Sequence, residues 1–115
     1  MINMNKWENV AMESSSGLTE QFAQFARDYK KAIKESATDF ELATYCRGHF
    51  YISGFLKHKE TGKLIYFSTS EIRNSNCWLD SILVRTAKDI QDYSGGANNY
   101  TALDSLNSTA SKLVK

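Results

Sequence analysis

Residues 49–58, HFYISGFLKH, and residues 64–69, LIYFST, decide the fold, because both are rich in aromatic and β-branched residues. A short turn, KETGK at residues 59–63, separates them and contains Gly62. This pattern predicts a β-hairpin closed at Gly62. Alternation along its first strand places Phe50, Ile52, Gly54 and Leu56 on one face and Tyr51, Ser53, Phe55 and Lys57 on the other. Since both faces are partly apolar, we expect one to pack on a helix and the other to be covered or used for binding.

An amphipathic helix precedes the hairpin. Apolar residues recur at helical spacing from residue 18 to about residue 36, namely Leu18, Phe22, Phe25, Ala26, Tyr29, Ala32 and Ile33. A short helix is also predicted within residues 5–12. Residues 39–46 fit two structures, because Thr38 and Glu41 have capping-box spacing whereas Phe40 to Cys46 alternate as a strand does. We favour the strand.

The second half of the chain completes the predicted domain. The apolar run at residues 78–87 is typical of a central strand that pairs with the hairpin. Residues 88–100 have no period and contain glycine and asparagine pairs, which predicts a loop of the length at which loops often carry function. A C-terminal helix is predicted from Thr101. The expected fold is α+β in a single domain, residues 1–115, in which a long N-terminal helix packs on an antiparallel sheet of three to four strands. Residues 1–17 form a candidate mobile segment.

Composition limits the function classes. The 115 residues are 42% hydrophobic and 23% charged, as in one soluble globular domain. The net charge of +1 argues against a general polyanion binder. No apolar stretch approaches the length of a membrane helix, and no secretory signal is recognisable, so we expect a cytoplasmic protein without a membrane partner.

No pattern of metal-binding or catalytic residues is evident. The cysteines and histidines have one local pair only, which argues against a zinc site at Cys46, His49, His58 and Cys77. The sequence contains no nucleophile-elbow motif around a serine and no cysteine-protease motif. Asp89 and Asp92 could form a catalytic carboxylate pair, but such a pair is more typical of a solvent-exposed edge. We therefore expect no metal, no cofactor and no catalysis. A small enzyme with a Cys/His site or a glycine–asparagine loop site is the alternative.

Residues 94–100 of the predicted loop, SGGANNY, are a candidate anion or ligand site. Its glycines would allow backbone N–H groups to converge on an anion in front of a helix N-terminus, with two basic residues just upstream. The candidate residues are Arg85, Lys88, Gly95, Gly96, Asn98 and Asn99. The simpler interpretation is a turn in which glycine and asparagine tolerate positive φ.

The hairpin region carries the strongest local charge. Residues 47–63 contain four lysine or arginine residues but a single acidic residue, Glu60. Basic and aromatic side chains together suit an acidic protein surface or a nucleic-acid strand, while a charged hairpin also protects a sheet edge from aggregation. The candidate partner-binding residues are Arg47, Tyr51, Phe55, Lys57, His58, Lys59 and Lys63.

These observations favour a non-catalytic binding module that acts by occupying a partner macromolecule, with a protein as the first choice of partner. An inhibitor of a host complex, of the type that phages or mobile elements encode, fits this description. An RNA- or DNA-binding protein is the alternative. A homodimer is plausible if the strand at 64–69 or the end strand has an uncovered edge.

Overall fold

The computed structural model describes residues 4–7, 20–48, 50–72 and 76–114. Within these residues lie three α-helices and five strands, together with 3-10 turns at Asn5–Trp7 and Leu103–Ser105. The helices are α1 (Glu20–Ser36), α2 (Cys77–Asp80) and α3 (Leu106–Leu113). The strands are β1 (Phe40–Arg47), β2 (Ile52–His58), β3 (Leu64–Ser68), β4 (Ile82–Ala87) and β5 (Asn99–Thr101).

The strands form one antiparallel sheet in the order β1-β2-β3-β4-β5, so each strand pairs with its neighbour in the sequence. The predicted α+β class is confirmed, with five strands where three to four were expected. The strand at residues 39–46 and the hairpin around Gly62, whose φ is 75°, are also confirmed. Among the described helices, none has the length and apolar character needed to cross a membrane.

Three boundaries differ from the sequence prediction. Residues 78–80 belong to α2 rather than to a strand, because a short buried helix and a buried strand give the same apolar run. The predicted loop at 88–100 ends in β5, whose three residues are too few to show an alternating pattern. The C-terminal helix begins after the 3-10 turn rather than at Thr101. Of the helix predicted within residues 5–12, the turn Asn5–Trp7 is described and residues 8–12 lie outside the described residues.

An aromatic row on α1 builds the core against one face of the sheet. Phe22, Phe25 and Tyr29 are fully buried. The Phe22 ring lies 5.2 Å from that of Phe50, and the Phe25 ring lies 5.5 Å from that of Trp78. The Tyr29 hydroxyl donates a 2.6 Å hydrogen bond to the carbonyl of Trp78, which joins α2 to α1. Each buried aromatic side chain stabilises the fold by about 1.5–3 kcal/mol, so this row fixes which sheet face is covered.

Gly54 of β2 allows β1 and β3, on either side of it, to approach closely. It pairs with Tyr45 of β1 and Phe67 of β3. A Cβ atom at this position would collide with the Thr44 carbonyl oxygen and lie 2.9 Å from the Phe67 ring. Only glycine fits here without displacing backbone.

The sheet edges are β1 and β5. The strand at 64–69 pairs on both sides as β3 and offers no edge to a second copy. β1 carries a register irregularity between Leu42 and Thr44. Such a bulge twists an edge strand and makes it a poor template for pairing with another chain.

The 3-10 turn Asn5–Trp7 is fixed to α1 by a buried carboxylate. Asp28 accepts a 3.0 Å hydrogen bond from Trp7 Nε1 and a 2.8 Å hydrogen bond from Gln24, and it lies 3.1 Å from Lys6 Nζ. Burial alone would raise the pKa of Asp28, but these hydrogen bonds and the Lys6 charge outweigh it and lower the pKa below its usual value. The ionised carboxylate therefore stabilises the folded chain.

Substitution of Gly54→Ala should reduce the free energy of unfolding by about 1–3 kcal/mol, because the new methyl group meets a backbone carbonyl that cannot move away. Gly48→Ala is the matched control. The atoms nearest to its methyl group would belong to the side chain of Tyr51, which is 43% exposed, rather than to backbone. Urea unfolding of both variants measures the difference. Equal losses would show that the close approach at Gly54 is unimportant.

The stabilising effect of Asp28 should depend on pH with a defined sign. Because its folded pKa is lowered, the stabilisation is complete above the unfolded pKa of about 3.9 and disappears as the pH falls through the folded value. Asp28→Asn should lower the urea midpoint at pH 6, and the gap to the native chain should narrow as the pH falls through the lowered pKa of Asp28. A gap that stays constant with pH would contradict this role.

Candidate functional site

The sheet face that α1 leaves uncovered carries a row of four side chains. The register places Thr44 opposite Phe55, Phe55 opposite Tyr66, and Tyr66 opposite Arg85. We call this side of the sheet the outer face. The core beneath the helices includes the neighbouring Ile52 and Leu56 but not Phe55, in agreement with the predicted alternation along β2.

Residues 88–98 fold back over the outer face and cover Phe55. The Tyr93 ring lies 5.5 Å from that of Phe55 and 5.7 Å from that of Tyr66, while Phe55 and Tyr66 are 5.3 Å apart. Phe55 is only 1% exposed, whereas Tyr93 is 54% exposed. These three rings form the outer cluster. Tyr93 therefore serves as a cover for Phe55 and also presents half of its own surface to solvent.

Arg85 holds the covering segment in place. Its guanidinium lies 4.9 Å from the centre of the Tyr66 ring, a cation–π contact. The same group donates hydrogen bonds to the Tyr93 carbonyl and, at 3.2 Å, to Asn98 Oδ1. Arg85 thus ties two points of the segment to β4 through its two terminal nitrogens.

Asp92 fixes the shape of the same segment from inside. Its carboxylate accepts hydrogen bonds from the backbone N–H groups of Lys88 at 3.0 Å, Gly95 at 2.8 Å and Ser94 at 3.4 Å. The N–H groups of Lys88 and Gly95 contribute most to holding the pKa of Asp92 below its usual value. The backbone N–H groups of Lys88 and Gly95, two of the predicted anion-site residues, thus converge on an anion that the chain supplies itself.

The two glycines are required by this packing. The Asp92 carboxylate leaves no room for a side chain at Gly95. Gly96 has a φ of 74° and lies against the backbone of Thr86. Asn99 is part of β5, and its side chain bonds to the Ala97 carbonyl at 3.1 Å.

The predicted hairpin surface is divided between the two ends of β2. Arg47 and Tyr51 lie at the β1–β2 end, where the Arg47 guanidinium is 5.8 Å from the Phe22 ring. Lys57, His58, Lys59 and Lys63 lie at the β2–β3 end. The seven residues of β2 separate these ends by about 20 Å. His58 is the last residue of β2 and contacts the turn, because its ring packs on Phe40 at 5.0 Å and its Nδ1 lies 3.1 Å from the Thr61 hydroxyl.

The structure instead joins Phe55, from the hairpin set, with Arg85 and Asn98, from the loop set. Sequence reasoning did not single out Tyr66, Tyr93 or Tyr100. Alternation along β3 could have placed Tyr66 on a hairpin face, but no periodic signal locates Tyr93. Among the described residues, the exposed large apolar side chains are Tyr51, Ile90, Tyr93 and Tyr100. Three of these four lie in the segment that follows β4.

No metal or thiol chemistry is evident in the described part of the chain. It contains no group of three His, Cys, Asp or Glu residues placed to hold an ion. Cys46 is exposed and Cys77 is buried, and both are free thiols. His49 lies outside the described residues.

Asp92→Asn should loosen residues 88–95 while leaving the rest of the fold intact, because a neutral amide accepts hydrogen bonds from N–H groups less strongly. In the native chain, the amide resonances of Lys88, Ser94 and Gly95 should shift together as the pH falls through the lowered pKa of Asp92. NMR titration measures both effects. Asp89→Asn is the control, since Asp89 accepts a hydrogen bond from the Gln91 N–H instead. If these three amide resonances shift with pH to the same extent in Asp92→Asn and in Asp89→Asn, a central role for Asp92 is contradicted.

No protein-family model, curated protein or solved structure matches this chain.

Proposed function

We propose that this chain is a non-catalytic, protein-binding module that acts in the cytoplasm by occupying a partner protein. One observation carries the proposal: residues 93–100, YSGGANNY, are held in a fixed shape over the outer cluster while exposing Tyr93 and Tyr100. The binding surface consists of these residues and the adjoining outer face.

The composition of this segment suits protein recognition. Antibody binding loops are enriched in the same four residue types, tyrosine, serine, glycine and asparagine. Tyrosine supplies a large, rigid contact area with only two side-chain torsions to immobilise, and the small polar residues adapt their hydrogen bonds to the partner. Tyr100 is 64% exposed and Tyr93 is 54% exposed, so both offer contact area without unfolding.

Preorganisation strengthens the argument. Ordering a loop on binding reduces affinity, and a loop that is already ordered avoids that cost. Arg85 and Asp92 fix the segment in the free chain through the contacts described above. A rigid, tyrosine-rich surface is expected in a module whose purpose is tight occupation of one partner.

The charges near this surface favour a protein over a nucleic acid. A nucleic-acid groove needs free cationic side chains that follow the phosphate backbone. Here Arg85 is engaged with Tyr93 and Asn98, and the preceding residues 88–92 hold two carboxylates, Asp89 and Asp92, against one further cation, Lys88. An RNA- or DNA-binding role therefore has less support.

The domain is large enough to occupy a partner through one of its faces. A stable interface covers about 800 Å² on each partner, and the domain measures 41 × 28 × 19 Å. We therefore propose that binding itself has the functional effect, as in a small inhibitor of a host complex of the type that phages and mobile elements encode.

Affinity capture with the tagged chain, followed by mass spectrometry, should recover a defined partner. With that partner purified, Tyr100→Ala should weaken binding at least about tenfold, as expected of a hot-spot tyrosine. The melting temperature should stay within about 2 °C, because Tyr100 is largely exposed and surface substitutions change stability little. Tyr51→Ala, which truncates another exposed tyrosine at the β1–β2 end, is the control and should bind normally.

Equal binding by Tyr100→Ala and Tyr51→Ala would refute the proposed surface. Co-purifying nucleic acid, seen as a raised 260/280 nm absorbance ratio, would support the alternative partner class. A gel shift at about 50 mM salt that weakens steeply as salt increases would do the same.

A further inference from the structure

We propose that a groove between the β2–β3 turn and the C-terminal end of α3 binds a short acidic peptide segment bearing an aliphatic side chain. We call it the basic groove. Its volume is about 320 Å³, at the lower end of the range of about 300–1,000 Å³ for ligand pockets. It is distinct from the surface formed by residues 93–100.

Two lysines line the basic groove. Leu64 of β3 pairs with Ala87 of β4, and Lys63 and Lys88 follow directly at the adjoining ends of these two strands. Two like charges that line one groove repel each other. Neither lysine forms an ion pair with any residue that the structure describes. A bound carboxylate would relieve this repulsion.

The floor of the basic groove is apolar. Leu64, Ala87, Leu113 and Val114 supply its aliphatic surface. Leu64 and Leu113 are half-buried, whereas Val114 is buried at 2% exposure. An aliphatic side chain of a bound peptide can therefore remove apolar surface from water on both partners.

Several carboxylates lie near the basic groove, but none of those in the described residues forms an ion pair with Lys63 or Lys88. Asp92 attracts Lys88 electrostatically, while its oxygens accept hydrogen bonds from the backbone N–H groups of Lys88 and Gly95. Asp39 lies in the adjoining cleft and accepts hydrogen bonds from Asn107 and Ser111 of α3. Glu60 is the remaining carboxylate, on the turn beside Lys63. The two lysines therefore favour an acidic occupant of the basic groove. Its apolar floor favours an occupant that also carries an aliphatic side chain.

The basic groove extends the proposed function, since it adds a contact for an acidic segment of a partner protein. Its existence can be tested without that partner. The probe is the capped tripeptide Ac-Asp-Leu-Asp-NH2, in which two carboxylates flank one leucine. The uncharged Ac-Asn-Leu-Asn-NH2 is the peptide control.

NMR titration of the full chain should give saturable shifts in the methyl groups of Leu64, Ala87, Leu113 and Val114, with a dissociation constant on the order of 1 mM for so small a probe. Lys63→Gln and Lys88→Gln should each weaken binding at least about threefold, while their spectra remain those of a folded chain. Lys59→Gln is the matched control. It removes a charge from the same turn without altering the lining of the groove.

Three results would overturn the proposal. They are shifts that do not saturate, equal shifts with the uncharged peptide, and equal weakening by Lys59→Gln and Lys63→Gln, which would show general electrostatic attraction only. If Tyr100→Ala also binds the captured partner normally, the proposed function fails independently of the groove. If the titration alone fails, the surface at 93–100 stands and the partner has no acidic segment in the basic groove.

Discussion

The sheet has two apolar faces, whereas the aromatic side chains of α1 pack against only one. Phe22, Phe25 and Tyr29 are fully buried on that covered side, and Trp78 of α2 closes the row. The opposite side of β2 still carries Phe55, which cannot remain in contact with water without cost. The arrangement of residues 88–101 follows from this imbalance, because part of the chain must cover Phe55 where no helix does.

A loop that covers an aromatic residue must be held without a core of its own. Arg85 supplies an anchor from the sheet, and Asp92 supplies one from within the loop. Both anchors are polar and half-exposed, so Tyr93 can cover Phe55 with one side while the other stays in solvent. The contacts that stabilise the outer face therefore also produce a rigid, tyrosine-bearing surface. The residues that stabilise the loop are thus the ones that we propose for binding, and their contacts give the loop a defined shape without regular structure.

The sequence was informative where side-chain periodicity reports burial. The helical spacing of apolar residues on α1 and the alternation along β2 both predicted the correct buried faces. The strand predicted for residues 78–80 was wrong, because a single helical turn and a short strand can bury the same apolar run. Tyr93 could not be placed, since its position depends on a backbone reversal fixed by Asp92 and two glycines rather than on a period. The sequence also cannot show that Lys63 and Lys88 lie at adjoining strand ends, because this depends on the register between β3 and β4.

Hydrogen–deuterium exchange of the chain, free and bound to its captured partner, tests the assignment of the binding surface most directly. Slowed exchange on binding should concentrate in residues 93–101 and in β3, because these backbone amides lie at or beside the tyrosines that make contact. Slowed exchange confined to the exposed side of α1, around Lys30, Lys31 and Lys34, with no change in residues 93–101, would contradict it.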